Sequence, residues 1–153
     1  MRLSEFYGIV PVIEADDYGS AGIDGDSFKL SGAHWATVLL TFGEITGNSV
    51  LKVYSGASAG TKTTALTFTY RVSSADYKAA SADQYGAAAT SAALTLTAAS
   101  YDHRTILIEI DPAAITDGEP WITVELDATA TALNVAAFAL LQPRYAPAAT
   151  AIA

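Results

Sequence analysis

The sequence predicts an all-β fold, a single-domain antiparallel β-sandwich of jelly-roll type with extended N- and C-terminal arms. Three observations carry this. Short apolar stretches alternate with a period of two, as in a strand with one buried face. Turn segments bearing glycine, proline, asparagine or aspartate separate them. No stretch holds a helical period beyond about one turn. Eight or nine short strands of this kind make a sandwich, and no linker divides the chain in two.

The elements follow in order. Residues 1–18 read as an N-terminal arm or edge strand, because residues 9–13 are apolar but contain Pro11, which has no N–H for a sheet ladder. A loop dense in glycine and aspartate spans residues 14–26, and residues 27–30 form a short strand. The central block, residues 31–73, reads as three strands, 35–42, 50–55 and 66–72. GEITGN loops between the first pair and GASAG joins the second. Alternation is clearest in the third strand, where Leu66, Phe68, Tyr70 and Val72 share one face. Residues 73–91, rich in Ala, Ser and Asp, predict a long excursion with one helical turn near 75–80. Strands follow at 93–97 and 104–110, the latter with Ile106, Ile108 and Ile110 inward. Asp111 then caps a short helical turn begun by Pro112. Residues 117–120 are turn chemistry. Residues 121–126 form a strand, 128–133 cross over, and 135–141 form the last strand. The sandwich domain is thus 19–142, and 143–153 is a C-terminal arm.

A chain of 153 residues is enough for one domain with a sizeable core. The net charge of −8 argues against nucleic acid, since phosphate binding needs clustered Lys and Arg and the 8 basic residues here are scattered. No apolar run approaches the roughly 18 residues of a membrane span, and acidic residues interrupt any signal-peptide pattern at the start. The absence of cysteine removes disulfides, thiolate nucleophiles and cysteine zinc sites from consideration.

No candidate for chemistry survives its context. Gly56-Ala-Ser-Ala-Gly60 matches a nucleophile elbow, and Ser58, Asp83 and His103 follow in hydrolase order, but strand sequence stands where the elbow needs a helix. Gly60-Thr-Lys-Thr63 lacks the glycine spacing of a phosphate loop. Asp16, Asp17, Asp24 and Asp26 offer oxygen ligands for calcium without a recognised ligand spacing. His34 and His103 stand in different loops and define no metal site. Neither a catalytic residue, a metal nor a cofactor is therefore expected. Trp35 and Trp121 stand at strand starts, where aromatic groups pack or anchor interfaces; with the eight tyrosines they keep a carbohydrate-binding module open as an alternative.

Several stretches in order carry a family resemblance: GDSFKLSGAH (25–34), GEITG (43–47), LKVYSGASAG (51–60), ALTFTYR (65–71), RTILIEID (104–111) and PRY (143–145) before a Pro/Ala tail. Together they span most of the chain, and it resembles the small head decoration, or cement, proteins of tailed-phage particles. The resemblance implies a non-enzymatic virion protein on the outer capsid surface, bound to the major capsid protein and tying capsomers together as a homotrimer. Another virion component, of tail or fibre, is the nearest rival. With this reading, Phe6, Tyr7, Ile9, Trp35, Arg144 and Tyr145 become candidate interface residues, and the arms are expected to bind neighbouring subunits rather than complete the core.

Overall fold

In the computed structural model, residues 3–79, 84–128 and 130–144 are described. Among them, eleven strands form one continuous antiparallel system. They are β1 (Gly8–Asp17), β2 (Ile23–Asp24), β3 (Phe28–Lys29), β4 (Ala33–Gly56), β5 (Thr64–Ala65), β6 (Phe68–Val72), β7 (Ala89–Ser91), β8 (Leu94–Thr97), β9 (Thr105–Ile110), β10 (Trp121–Leu126) and β11 (Ala130–Pro143). Two one-turn helices, α1 (Leu3–Phe6) and α2 (Ala98–Tyr101), and a 3-10 turn at Pro112–Ala114 complete the described elements. None of the described helices is long and apolar enough to cross a membrane.

The all-β class stands, and the organising element is one 24-residue strand, β4. Its first half pairs with β11 on one side and β9 on the other, in the order β1-β11-β4-β9-β6-β7. Its second half pairs with β10, β5 and β8, and β10 in turn holds β2 and β3. The expected loop at GEITGN is therefore absent: residues 43–48 continue the strand. The reason is a β-bulge. Phe42 faces Val135 and Ile45 faces Leu133, so β4 takes three steps where β11 takes two. Such an insertion bends and twists a strand.

The bulge also changes which residues face inward. Before it, Ala36, Val38, Leu40 and Phe42 are buried; after it, Ile45, Leu51 and Val53 are. Without that one-residue shift, the second half of β4 would turn its apolar set to solvent. With it, both halves supply one core, joined by Ile106, Ile108 and Ile110 of β9 and Ile122, Val124 and Leu126 of β10. Gly43 makes the close approach possible, because a Cβ there would stand 3.0 Å from the Cβ of Asn134. Gly47, with φ of 92°, takes a left-handed conformation that side chains resist.

β1 is an edge strand, and it belongs to the core. It pairs with β11 from Gly8 opposite Leu141 to Asp17 opposite Asn134. Val12 and Ile13 are only 4% and 3% exposed. Both are inward because the register shifts between Pro11 and Ile13. The expectation that residues 1–18 stand away from the core thus fails for β1. Pro143 is the last residue of β11, and the Arg144 N–H donates to the Gly32 carbonyl; the rest of the expected C-terminal arm lies outside the described residues.

Smaller departures have local causes. The excursion after Val72 returns to the sheet through a bridge between Ser73 and Tyr85 and through β7. Its described residues near 75–79 form turns, with Asp76 Oδ1 accepting from the Lys78 N–H, in place of the expected helical turn. The expected crossover at 128–133 is shorter, since β11 already begins at Ala130. The Asp111 cap is present as read, its Oδ1 accepting from Ala113 at 2.9 Å.

Candidate docking face

The strand register places an apolar strip on the outer face of the larger half-sheet. Residues opposite one another in a ladder share a face. Pro11 opposes Phe138, Phe138 opposes Leu39, Leu39 opposes Leu107, and Leu107 opposes Arg71. In the adjoining row Ile9 opposes Leu140, and Leu140 opposes Thr37. Phe138 is 45% exposed and Ile9 46%, whereas Leu39, Leu107 and Leu140 are half-buried. Four strands thus present one contiguous apolar surface to solvent. Exposed apolar groups gathered in this way mark interaction surfaces more often than scattered ones do.

The same region shows how the neighbouring sheet edge is blunted. β1 carries Pro11, two register shifts and the acidic run Glu14, Asp16 and Asp17. Each discourages another strand from adding to the edge. The face next to it has no such protection.

The outer face of the other half-sheet is differently finished. Lys62 donates to both Asp24 and Glu125, and Lys52 donates to Glu125 at 3.3 Å and Asp127 at 2.7 Å. Burial raises the pKa of Glu125, but the hydrogen bonds from its neighbours outweigh that and hold it below the ordinary carboxylate range. These same contacts raise the pKa of Lys62, led by Glu125 and then Asp24. Beside this network Ser27 and Thr123 share a hydrogen bond of 2.7 Å, and Ser27 Oγ accepts from the Gly60 N–H. The polar groups of this face are internally paired, and its aromatic rings Trp121 and Tyr54 lie beside Lys29 and Lys62.

The candidate interface residues divide. Phe6, 48% exposed, precedes β1 with Leu3, 51% exposed, in α1. Tyr7 is half-buried at the foot of β1, and Ile9 lies on the apolar strip itself. Trp35 lies opposite Gln142 at the far end of the larger half-sheet. Arg144 is tied down by its Nε donating to the Ala33 carbonyl at 3.0 Å. Tyr145 lies outside the described residues. The central residues of the strip, Phe138, Leu140, Leu39 and Leu107, were absent from the sequence-based set. Leu39, Phe138 and Leu140 sit in runs apolar on both faces, so no local alternation singles them out, whereas Leu107 is placed outward by the alternation of Ile106, Ile108 and Ile110 without any sign of the strip it joins.

The chemical motifs do not converge. Ser58 lies in a hairpin loop where its N–H donates to Thr61 Oγ1, and β5 follows instead of a helix. His103 lies near the other end of β4, its N–H donating to the Gly43 carbonyl. At about 3.3 Å per strand residue, the run of β4 from Gly43 to Gly56 keeps the two apart. Asp83 lies outside the described residues. His103 has φ of 52°, a left-handed conformation, and its Nε2 is 2.6 Å from Lys78 Nζ while its Nδ1 is buried without a partner.

Two of the four aspartates are engaged at different places. Asp17 accepts from the N–H groups of Leu133 and Gly19, in that order the main reasons its pKa is lowered, and Asp24 pairs with Lys62. No group of three or more His, Cys, Asp or Glu among the described residues is placed to hold a metal ion. Set against family models, curated proteins and solved structures, the chain matches none.

Proposed function

We propose that this chain is a non-enzymatic virion structural protein that binds the outer surface of a tailed-phage capsid and stabilises contacts between capsomers. The observation that carries the reading is the contiguous apolar strip centred on Phe138, beside a blunted β1 edge. Its partner is the major capsid protein, and the homotrimer implied by the family resemblance brings several copies of the strip to neighbouring capsomers. Three features support this. The docking residues lie on a rigid ladder, so little ordering entropy opposes binding. The net charge of −8 suits an outer surface and disfavours a DNA-facing one. Ser58 and His103, the described members of the hydrolase-order set, lie apart in the fold.

The test is co-sedimentation with purified heads stripped of decoration. Phe138 sits at the centre of the strip, where a truncated anchor typically weakens association by about 2 kcal/mol or more, some 30-fold. Phe138→Asp should therefore lose binding while its melting curve stays close to that of the native chain. Binding unchanged by Phe138→Asp, or sedimentation with purified tails and never with heads, would overturn the proposal. The second outcome would favour a tail or fibre component.

A further inference from the structure

We infer that a cleft at the Trp35 end of the larger half-sheet, adjoining the apolar strip where Thr37 pairs with Glu109, is a binding site for a neutral oligosaccharide. The cleft follows from how two paired strands part. β6 and β9 run together as far as Thr69 opposite Glu109. Beyond that pair the chain before β6 leaves for the other half-sheet, where Thr64 and Ala65 pair with Ser55 and Tyr54 of β4. On the β9 side, the chain after Ile110 turns away at Asp111 into the 3-10 turn. The gap between the diverging chains is a cleft of about 410 Å³, with Trp35 of β4 among the residues that line it. That is within the roughly 300–1,000 Å³ of small-molecule sites.

The lining selects the class of ligand. Trp35 offers a flat apolar face with a polar N–H edge. Around it stand Thr67, Thr69 and Thr116 with the carboxylates of Glu109 and Asp111. Hydroxyls give and accept hydrogen bonds, and carboxylates accept from ligand hydroxyls. No Lys, Arg or His is among the lining residues, so nothing there would neutralise a phosphate, sulfate or sialic acid. A cationic ligand fits less well. Asp111 already spends Oδ1 on the Ala113 N–H, and one indole is not the multi-sided aromatic cage that holds an ammonium group. A ligand with an apolar ring face and many neutral hydroxyls matches both halves of the lining.

The second tryptophan makes an internal control. Lys29 Nζ lies 5.8 Å from the centre of the Trp121 ring, so that ring is already covered by a cation, and Trp121 is not part of the cleft. The two indole N–H signals in a proton–nitrogen NMR spectrum of the intact protein can therefore be read separately. The probes are neutral gluco-, galacto- and manno-oligosaccharides of two to four units, with sialyllactose and choline as charged comparators.

A neutral member of the panel should shift the Trp35 signal in a saturable way and leave Trp121 unmoved. Trp35→Ala should weaken its association at least tenfold and Glu109→Gln several-fold, while Trp121→Phe leaves it unchanged. The affinity should hold between low and physiological salt, because no ion pair is involved. Failure of every neutral probe at tens of millimolar, or binding indifferent to both Trp35→Ala and Glu109→Gln, would refute the site. A response confined to choline and lost in salt would refute the ligand class. Phe138→Asp separates this site from the docking face, since Phe138 does not line the cleft: it should bind the neutral probe as the native chain does while losing capsid heads, and a joint loss of sugar and capsid binding would count against two distinct sites.

Discussion

Substituting Gly25 by alanine tests whether β1 is part of the core. A Cβ at this position would meet Val12 Cγ1 at 2.8 Å, Ile13 Cγ1 at 3.1 Å and the Val12 carbonyl oxygen at 3.1 Å. Carbon atoms in favourable contact sit about 3.5–4.0 Å apart, so the intrusion is more than half an ångström. The segment cannot simply swing away. The Gly25 N–H donates to the Val124 carbonyl and the Asp26 N–H to the Val12 carbonyl, both at 2.8 Å. Overpacking of this kind costs about 1–3 kcal/mol, offset by about 0.4–1 kcal/mol because alanine restricts the unfolded chain. A net loss of about 1–2 kcal/mol is expected from Gly25→Ala.

Val12→Ala alone removes two buried methyl-sized groups, about 0.8 kcal/mol each before any cavity contribution, or about 2 kcal/mol in all. The two changes should not add. Val12→Ala removes the Cγ1 atom that the new methyl group strikes, so the double variant should be more stable than the sum predicts by about 1 kcal/mol. The residual penalty comes from Ile13 Cγ1 and the Val12 carbonyl, which remain. Urea unfolding of the native chain, both single variants and the double variant measures this coupling. Additivity within about 0.5 kcal/mol would mean that β1 does not pack against residue 25, and that the segment behaves as the detached arm the sequence suggested.

Two further outcomes are expected. The depressed pKa of Asp17 means that its contribution is complete above the unfolded carboxylate value of about 3.9 and is lost as pH falls through its lower folded value. Asp17→Asn should therefore flatten the fall of melting temperature on acidification below about pH 4, and parallel curves for the two proteins would contradict the assignment. Glu125→Gln keeps the shape of the lysine network but removes the charge shared by Lys52 and Lys62, whose other partners Asp127 and Asp24 remain. A loss of about 1–2 kcal/mol in urea unfolding at neutral pH is expected, below the roughly 1.5–3 kcal/mol of a whole hydrogen bond to a charged group, and native stability would refute it.

The sequence by itself determined what depends on near neighbours along the chain. Alternation in residues 66–72 and 104–110 marked β6 and β9, because facing inward or outward is a property of successive residues. Asp111 and Pro112 marked their turn for the same local reason, and the chain after Ser58 excluded an elbow without reference to the fold. What only the tertiary structure decided involves a partner. Glycines at 43 and 47 suit a loop or a bulge equally, and β11, by taking two steps against three, makes the bulge. Pro11 allowed an edge strand or a free arm, and the close fit of Val12 against Gly25 selects the strand. The last strand is apolar on both faces, with Phe138 and Leu140 alternating with Ala137 and Ala139, so period two leaves its inward face open; only the ladder shows that the alanines are buried and Phe138 faces out. The two tryptophans were equivalent in sequence, yet Lys29 covers one ring while diverging strands leave the other lining a cleft. Such distinctions arise between residues far apart in the chain, where no local period can record them.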